Sequence, residues 1–121
     1  MTRSIKIVPP NSLLFVSDPD GGQPPYPKRD AQILATDSCV SIACCPFVDG
    51  ETAVTLGECR QVDPGYPPAF DGLLKTPNRA IAVSTVEQET ILTANVPSTT
   101  TRVRAWVNKP SMPDQVIVGF E

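Results

Sequence analysis

The chain has 121 residues, 40% of them apolar, enough for one domain with a real core and too few for two. Lys and Arg number 10 against 13 Asp and Glu, giving a formal charge of −3, and there is no histidine. This balance excludes a basic nucleic-acid-binding stripe. The missing histidine removes every Ser-His or Cys-His arrangement and the commonest general base.

The 14 prolines are spread along the chain and do not form PxxP repeats, so they read as turn punctuation in an all-β fold. A single long, proline-stiffened loop is the alternative. No segment reaches the ~18 consecutive apolar residues of a membrane span. The N-terminal MTRSIKIVPPN lacks a long apolar region and a small-residue cleavage site. A cytoplasmic protein is therefore expected, with Cys39, Cys44, Cys45 and Cys59 as free thiols.

In chain order, Ser4–Val8 reads as a short strand at a sheet edge, stopped by Pro9-Pro10. Ser12–Ser17 is a second strand, closed by the turn signal Asp18-Pro19-Asp20-Gly21-Gly22. Gly21–Asp30 is a loop stiffened by Pro24, Pro25 and Pro27 around Tyr26. Ala31–Ala35 fits either a strand or one helical turn. Cys39–Cys45 has small or apolar residues on both alternating faces, as expected of a central strand buried on both sides.

Asp49-Gly50 is the best short hairpin signal, and it predicts that Glu51–Glu58 pairs antiparallel with Cys39–Cys45. Cys59–Pro77 reads as irregular, tacked to the core by Phe70, Leu73 and Leu74. Arg79–Val86 and Glu89–Val96 are further strands, and Gln115–Phe120 closes the chain. The cleanest pattern is Val96–Asn108, where Val103, Ala105 and Val107 alternate with Arg102, Arg104 and Trp106. With no long helical pattern, the economical architecture is a single domain over residues 1–121. It is an all-β, antiparallel two-sheet sandwich of about eight strands with proline-rich loops.

The chemistry is sparse. The four cysteines lack metal-ligand spacing, and Cys44 and Cys45 on one strand point to opposite faces, so no metal and no cofactor is expected. Asp18-x-Asp20-Gly21 opens like a calcium loop, but the remaining ligands do not follow, and an Asx-type turn is expected instead. Glu51 with Glu58, or Asp63 with Asp71, are the only formal candidates for a hydrolytic carboxylate pair.

Surface features remain. Between Asp37 and Asp71 the acids are Asp37, Asp49, Glu51, Glu58, Asp63 and Asp71, against Arg60 alone. Trp106 shares a strand face with Arg102 and Arg104. That row is either capped by the proline-rich loops or offered to a partner, since Trp and Arg are enriched at interface centres. Tyr26 and Tyr66 sit in proline-rich loops, either pinned over the core edge or exposed to a ligand. A Trp on a wet face, or an exposed edge strand at Gln115–Phe120, would equally serve a homodimer.

The order LLFVSDPDGG, CVSIAC, a hairpin, GLLKTPNRAIAVST, NVPSTTTRVRAWVN and a short closing strand is similar to the competence protein J family. The pattern runs from about Ser12 to Phe120. Gly72–Ser84 and Val96–Trp106 carry most of it. The Ser-Thr-Thr-Thr turn after Pro97, the Cys44-Cys45 pair and the PPYP and YPP loops stand outside the pattern. The resemblance implies a small cytoplasmic β-rich protein, linked to DNA uptake, that inhibits a membrane-associated nuclease. It transfers no functional residue.

On charge alone, an acidic inhibitor would meet a basic nuclease cleft with Asp49, Glu51, Glu58, Asp63 or Asp71. The leading expectation is thus a non-enzymatic domain that binds another protein, with neither nucleic acid nor membrane as direct partner. One alternative is a small-ligand or carbohydrate module built on Tyr26, Tyr66 and Trp106. The other is a hydrolase with a carboxylate pair.

Overall fold

The computed structural model describes residues 2–26 and 32–121. Ten strands among the described residues form two five-stranded sheets. They are β1 (Arg3–Ile7), β2 (Leu13–Ser17), β3 (Ile33–Ala35), β4 (Cys39–Ala43), β5 (Thr52–Glu58), β6 (Phe70–Lys75), β7 (Ala80–Ser84), β8 (Thr90–Asn95), β9 (Thr100–Val107) and β10 (Gln115–Phe120). The one α-helical segment among them is the single turn α1 (Cys59–Val62). The first sheet has the order β1-β5-β10-β9-β6 and the second β3-β4-β2-β7-β8.

The two-sheet sandwich expected from the sequence is therefore present, with ten strands rather than about eight. All neighbours pair antiparallel except β5 and β10, which run parallel with Val54 opposite Val116 and Leu56 opposite Val118. Alternation builds the core. Leu14 and Val16, Val40 and Ile42, and Ile81 and Val83 point inward from the second sheet. Val54 and Leu56, Val103 and Ala105, and Val116, Val118 and Phe120 meet them from the first. The two sheets thus share one apolar layer, as a sandwich requires.

Three pairings differ from the sequence reading. The strand β5 does not return on β4. It crosses to the other sheet, where it pairs with β1 and β10. Pro46 and the 3-10 turn Phe47–Asp49 carry the chain across, so Asp49-Gly50 marks a sheet change and not a hairpin. Residues 70–75, read as irregular, form strand β6 against β9, which places Leu74 in the core and leaves Leu73 63% exposed. Strand β10 is no free edge: it is the middle strand of its sheet, between β5 and β9. The edges are β1 and β6 in one sheet and β3 and β8 in the other.

The segment read as either strand or helical turn is a strand from Ile33, while Ala31 lies outside the described residues. The same holds for Pro27 to Asp30 of the proline-rich loop. No helix among the described residues is long and apolar enough to cross a membrane.

Candidate functional site

Strand β9 turns its outer face, Arg102, Arg104 and Trp106, away from the core. The segment after β5 folds back over that face. Its turn α1 packs Cys59 and Val62 against Trp106 and Ile117, forming a second small apolar cluster. Close approach is possible because the sheet is notched there. A Cβ at Gly119 would sit 2.9 Å from both Cys59 Sγ and Trp106 Cζ3, and one at Gly57 would sit 2.8 Å from Val62 Cγ1.

Beyond α1 the chain runs on as a strap. Asp63 Oδ1 accepts from the Gly65 amide at 2.8 Å, an Asx-type turn that shapes it. The Trp106 indole N–H donates to the Tyr66 carbonyl at 2.9 Å, and the Tyr66 hydroxyl donates to the Val107 carbonyl at 3.4 Å. Trp106 is 1% exposed. Of the two readings of the Arg102/Arg104/Trp106 row, the indole is capped and is not offered to a partner.

The arginines are engaged beside it. Arg102 grips Asp71 with two donors at 2.8 Å each, and Arg104 Nε adds a third at 3.3 Å. Glu121 Oε1 lies 3.6 Å from Arg102 Nη1 and 3.2 Å from Arg104 Nη2. The Arg102 hydrogen bond is the main reason that the Asp71 carboxyl is held down at about 2. Burial opposes this, and Arg104 adds to it. Asp71 is thus neutralised by its neighbours. Glu58 is likewise paired, to Arg60 at 3.0 Å.

Asp49 and Glu51 lie elsewhere, exposed in the loop that enters β5. Beside that loop, the Ala53 amide donates to the Asp114 carbonyl at 2.8 Å and the Cys45 amide to the Pro113 carbonyl at 2.9 Å. A shallow cleft of about 430 Å³ there is lined by Lys6, Glu51, Asn108 and Asp114. Asp114 went unremarked in the sequence; the signal was its place in the β9–β10 loop, which only the central position of β10 brings next to Glu51. The Asn108 side chain donates to its carboxylate at 2.6 Å and is the main cause of its lowered pKa.

The carboxylate pairs do not assemble. Glu51 immediately precedes the seven-residue β5 and Glu58 ends it, so they stand about 20 Å apart. Asp71 is bound by arginines, and Asp63 shapes its turn. Nor do the aromatics converge. Tyr26 is 93% exposed on the chain leaving β2 of the second sheet, whereas Tyr66 and Trp106 belong to the outer face of the first. A groove of about 620 Å³ runs over Phe15, Ser17, Cys39, Ala82 and Ser84 on the second sheet, and neither tyrosine lines it.

Asp18 and Asp20 make a turn, not an open cation loop. The Asp20 amide donates to Asp18 Oδ1 at 3.0 Å, and Asn78 donates its backbone and side-chain N–H to Asp18 at 2.8 and 2.7 Å. Burial pushes the Asp18 carboxyl up. The hydrogen bonds outweigh it, so the net shift is downward. All four cysteines are buried free thiols, and desolvation raises Cys39 to about 11 and Cys44 to about 12. No group of three or more His, Cys, Asp or Glu among the described residues is placed to hold a metal ion.

These features define a two-sheet β-sandwich with a mixed first sheet, a strap over its outer face, and acidic loops at one end. That fold is shared with ComJ of Bacillus subtilis, whose crystal structure is described as the inhibitor of the DNA degrading activity of NucA. The likeness has a TM-score of 0.69 at 12% identity and covers 98% of this chain and 93% of that one. No protein-family model matches the sequence, and no curated protein matches it significantly.

Proposed function

We propose that this chain is a non-enzymatic protein-binding domain of inhibitor type, directed at a DNA-degrading enzyme. The observation that carries the reading is the end-to-end likeness of its fold to ComJ, the inhibitor of NucA. The disposition of its acids supports the same reading. Asp49 and Glu51 stand exposed and outside every ion pair among the described residues, free to meet a basic surface, while Asp71 and Glu58 are spent on arginines. The separation of Glu51 from Glu58 along β5 weighs against a hydrolase, and the burial of Trp106 weighs against an aromatic ligand cradle.

The test is a plasmid-degradation assay with NucA and increasing amounts of the purified chain. The expected result is protection that saturates near equimolar inhibitor. Undiminished degradation at a large molar excess overturns the reading.

A further inference from the structure

We propose that the docking surface is the loop end of the first sheet, where Val8, Val48 and Met112 form an apolar ridge flanked by Asp49, Glu51 and Asp114. The occupant is the basic, DNA-binding face of the target nuclease. This rests on the inhibitor reading above and gives it a surface.

The ridge follows from strand order. Because β1, β5 and β10 are neighbours, the chain leaving β1, the loop entering β5 and the loop entering β10 lie side by side. Ile7 pairs with Thr52, which sets Val8 next to the start of β5, and the Cys45–Pro113 hydrogen bond ties the other two loops together. Each loop lifts one large apolar side chain into solvent: Val8 is 44% exposed, Val48 72% and Met112 58%.

These tips are stiff. Pro9 follows Val8, Pro46 shortly precedes Val48, and Pro110 and Pro113 bracket Met112. Met112 itself has φ of 49°, a left-handed conformation that an exposed methionine gains little packing to offset. A rigid, exposed apolar tip loses little freedom on binding. Methionine is also enriched at interface cores.

The flanking charge selects the occupant. Among the described residues Asp49, Glu51 and Asp114 take part in no ion pair, whereas Asp37, Glu58, Asp71 and Glu121 all do. Lys6 and Lys109 stand nearby, so the local excess is small. Affinity therefore rests on the apolar ridge, and the acids steer. A surface that binds DNA must present Lys and Arg to phosphates, which makes it the complementary one. Inhibition through it is competitive with DNA.

The experiment compares wild type, M112G, V48S, the pair E51K/D114K and the distant control L73D in the NucA assay at several DNA concentrations. M112G relieves the backbone strain, so its Tm holds or rises while inhibition weakens about tenfold. V48S behaves alike, E51K/D114K weakens inhibition and its dependence on salt, and L73D inhibits as wild type does. More DNA weakens wild-type inhibition. Full inhibition by M112G and V48S overturns the surface and leaves the inhibitor reading standing. Inhibition indifferent to DNA concentration overturns the choice of face. A dimer in sedimentation that M112G dissociates assigns the ridge to a second copy and overturns the proposal. Failure of the wild type to inhibit overturns the inhibitor reading itself, and this surface with it.

Discussion

The indole N–H of Trp106 donates to the backbone carbonyl of Tyr66 across 40 residues of chain, at 2.9 Å. That one bond fixes how the strap crosses the first sheet. It satisfies the polar tip of a buried Trp, and it holds the proline-rich turn at the point where the Tyr66 hydroxyl reaches the Val107 carbonyl. The strap and the indole thus stabilise each other. Trp106 → Ala should cost about 3–5 kcal/mol in urea unfolding, because it empties the cluster with Cys59, Val62 and Ile117. Trp106 → Phe keeps most of the apolar contact and loses the donor, so a loss of about 1–2 kcal/mol is expected. Equal losses for the two variants would show that the bond, and not the packing, anchors the strap.

Gly119 sets how closely that strap can lie. With a Cβ there 2.9 Å from both Cys59 Sγ and Trp106 Cζ3, and 3.2 Å from the Cys59 backbone, Gly119 → Ala must push α1 away. The expected destabilisation is about 1–3 kcal/mol, with a fluorescence change as Trp106 becomes wetter. A Gly119 → Ala protein with wild-type stability and emission would mean that α1 is not pressed on the sheet.

How much of this was legible is best judged on two strands. In β9 the alternation was complete, and the chain obeys it: Val103 and Ala105 enter the core, and Arg102 and Arg104 stay outside. Local periodicity cannot say what covers the far face, because Trp106 is buried by residues 40 positions away. In β6 the same period-2 signal was present but masked. Gly72 sits where an inward side chain should be, and the Phe70 ring takes that space, 2.9 Å from where a Cβ would stand. Residues 70–75 therefore read as part of the irregular stretch Cys59–Pro77.

The sheet change at Asp49-Gly50 was equally hidden. The dipeptide sets a local bend, whereas the partner of β5 is decided by burial against β1 and β10, far away in sequence. The acidic site suffered for this reason. Asp49 and Glu51 could be picked out by charge, but Asp114 joins them only through the parallel β5–β10 pair.

Asp18 and Asn78 tie the turn after β2 to the turn before β7. Their two hydrogen bonds, with that from the Asp20 amide, compensate a carboxylate that is 1% exposed. Asp18 → Ala should cost about 2–3 kcal/mol, since it removes three hydrogen bonds to a charged group, from the Asp20 amide and from the backbone and side chain of Asn78. Asn78 → Ala should cost less, because the bonds from the Asp20 and residue-78 backbone amides to Asp18 persist. Equal losses for the two would imply that these two backbone bonds contribute nothing.

The thiols give a kinetic readout of the same core. Cys39 and Cys44 are buried, with pKa values raised to about 11 and about 12 by desolvation, so little thiolate exists near neutrality. A disulfide reagent at pH 8 should label them only at the rate at which the chain opens, and instantly in denaturant. Rapid labelling of the native protein at these positions would contradict their burial.

The pH dependence of stability should show Asp71. Its folded pKa, about 2, lies below the usual 3.8, and the Arg102 hydrogen bond is the chief cause. The folded state therefore holds this proton less tightly than the unfolded chain does, and the sign follows from linkage. The stabilisation is fully present above the unfolded value and is lost as pH falls from about 4 towards about 2. Asp71 → Asn removes the charge, so its stability should fall less steeply over that window, while at pH 7 it should be the less stable protein. Because both partners are partly solvent-exposed, added salt should narrow the gap between the two proteins at pH 7. Parallel stability curves for the two proteins between pH 4 and 2 would mean that the Arg102 grip on Asp71 does not persist in solution.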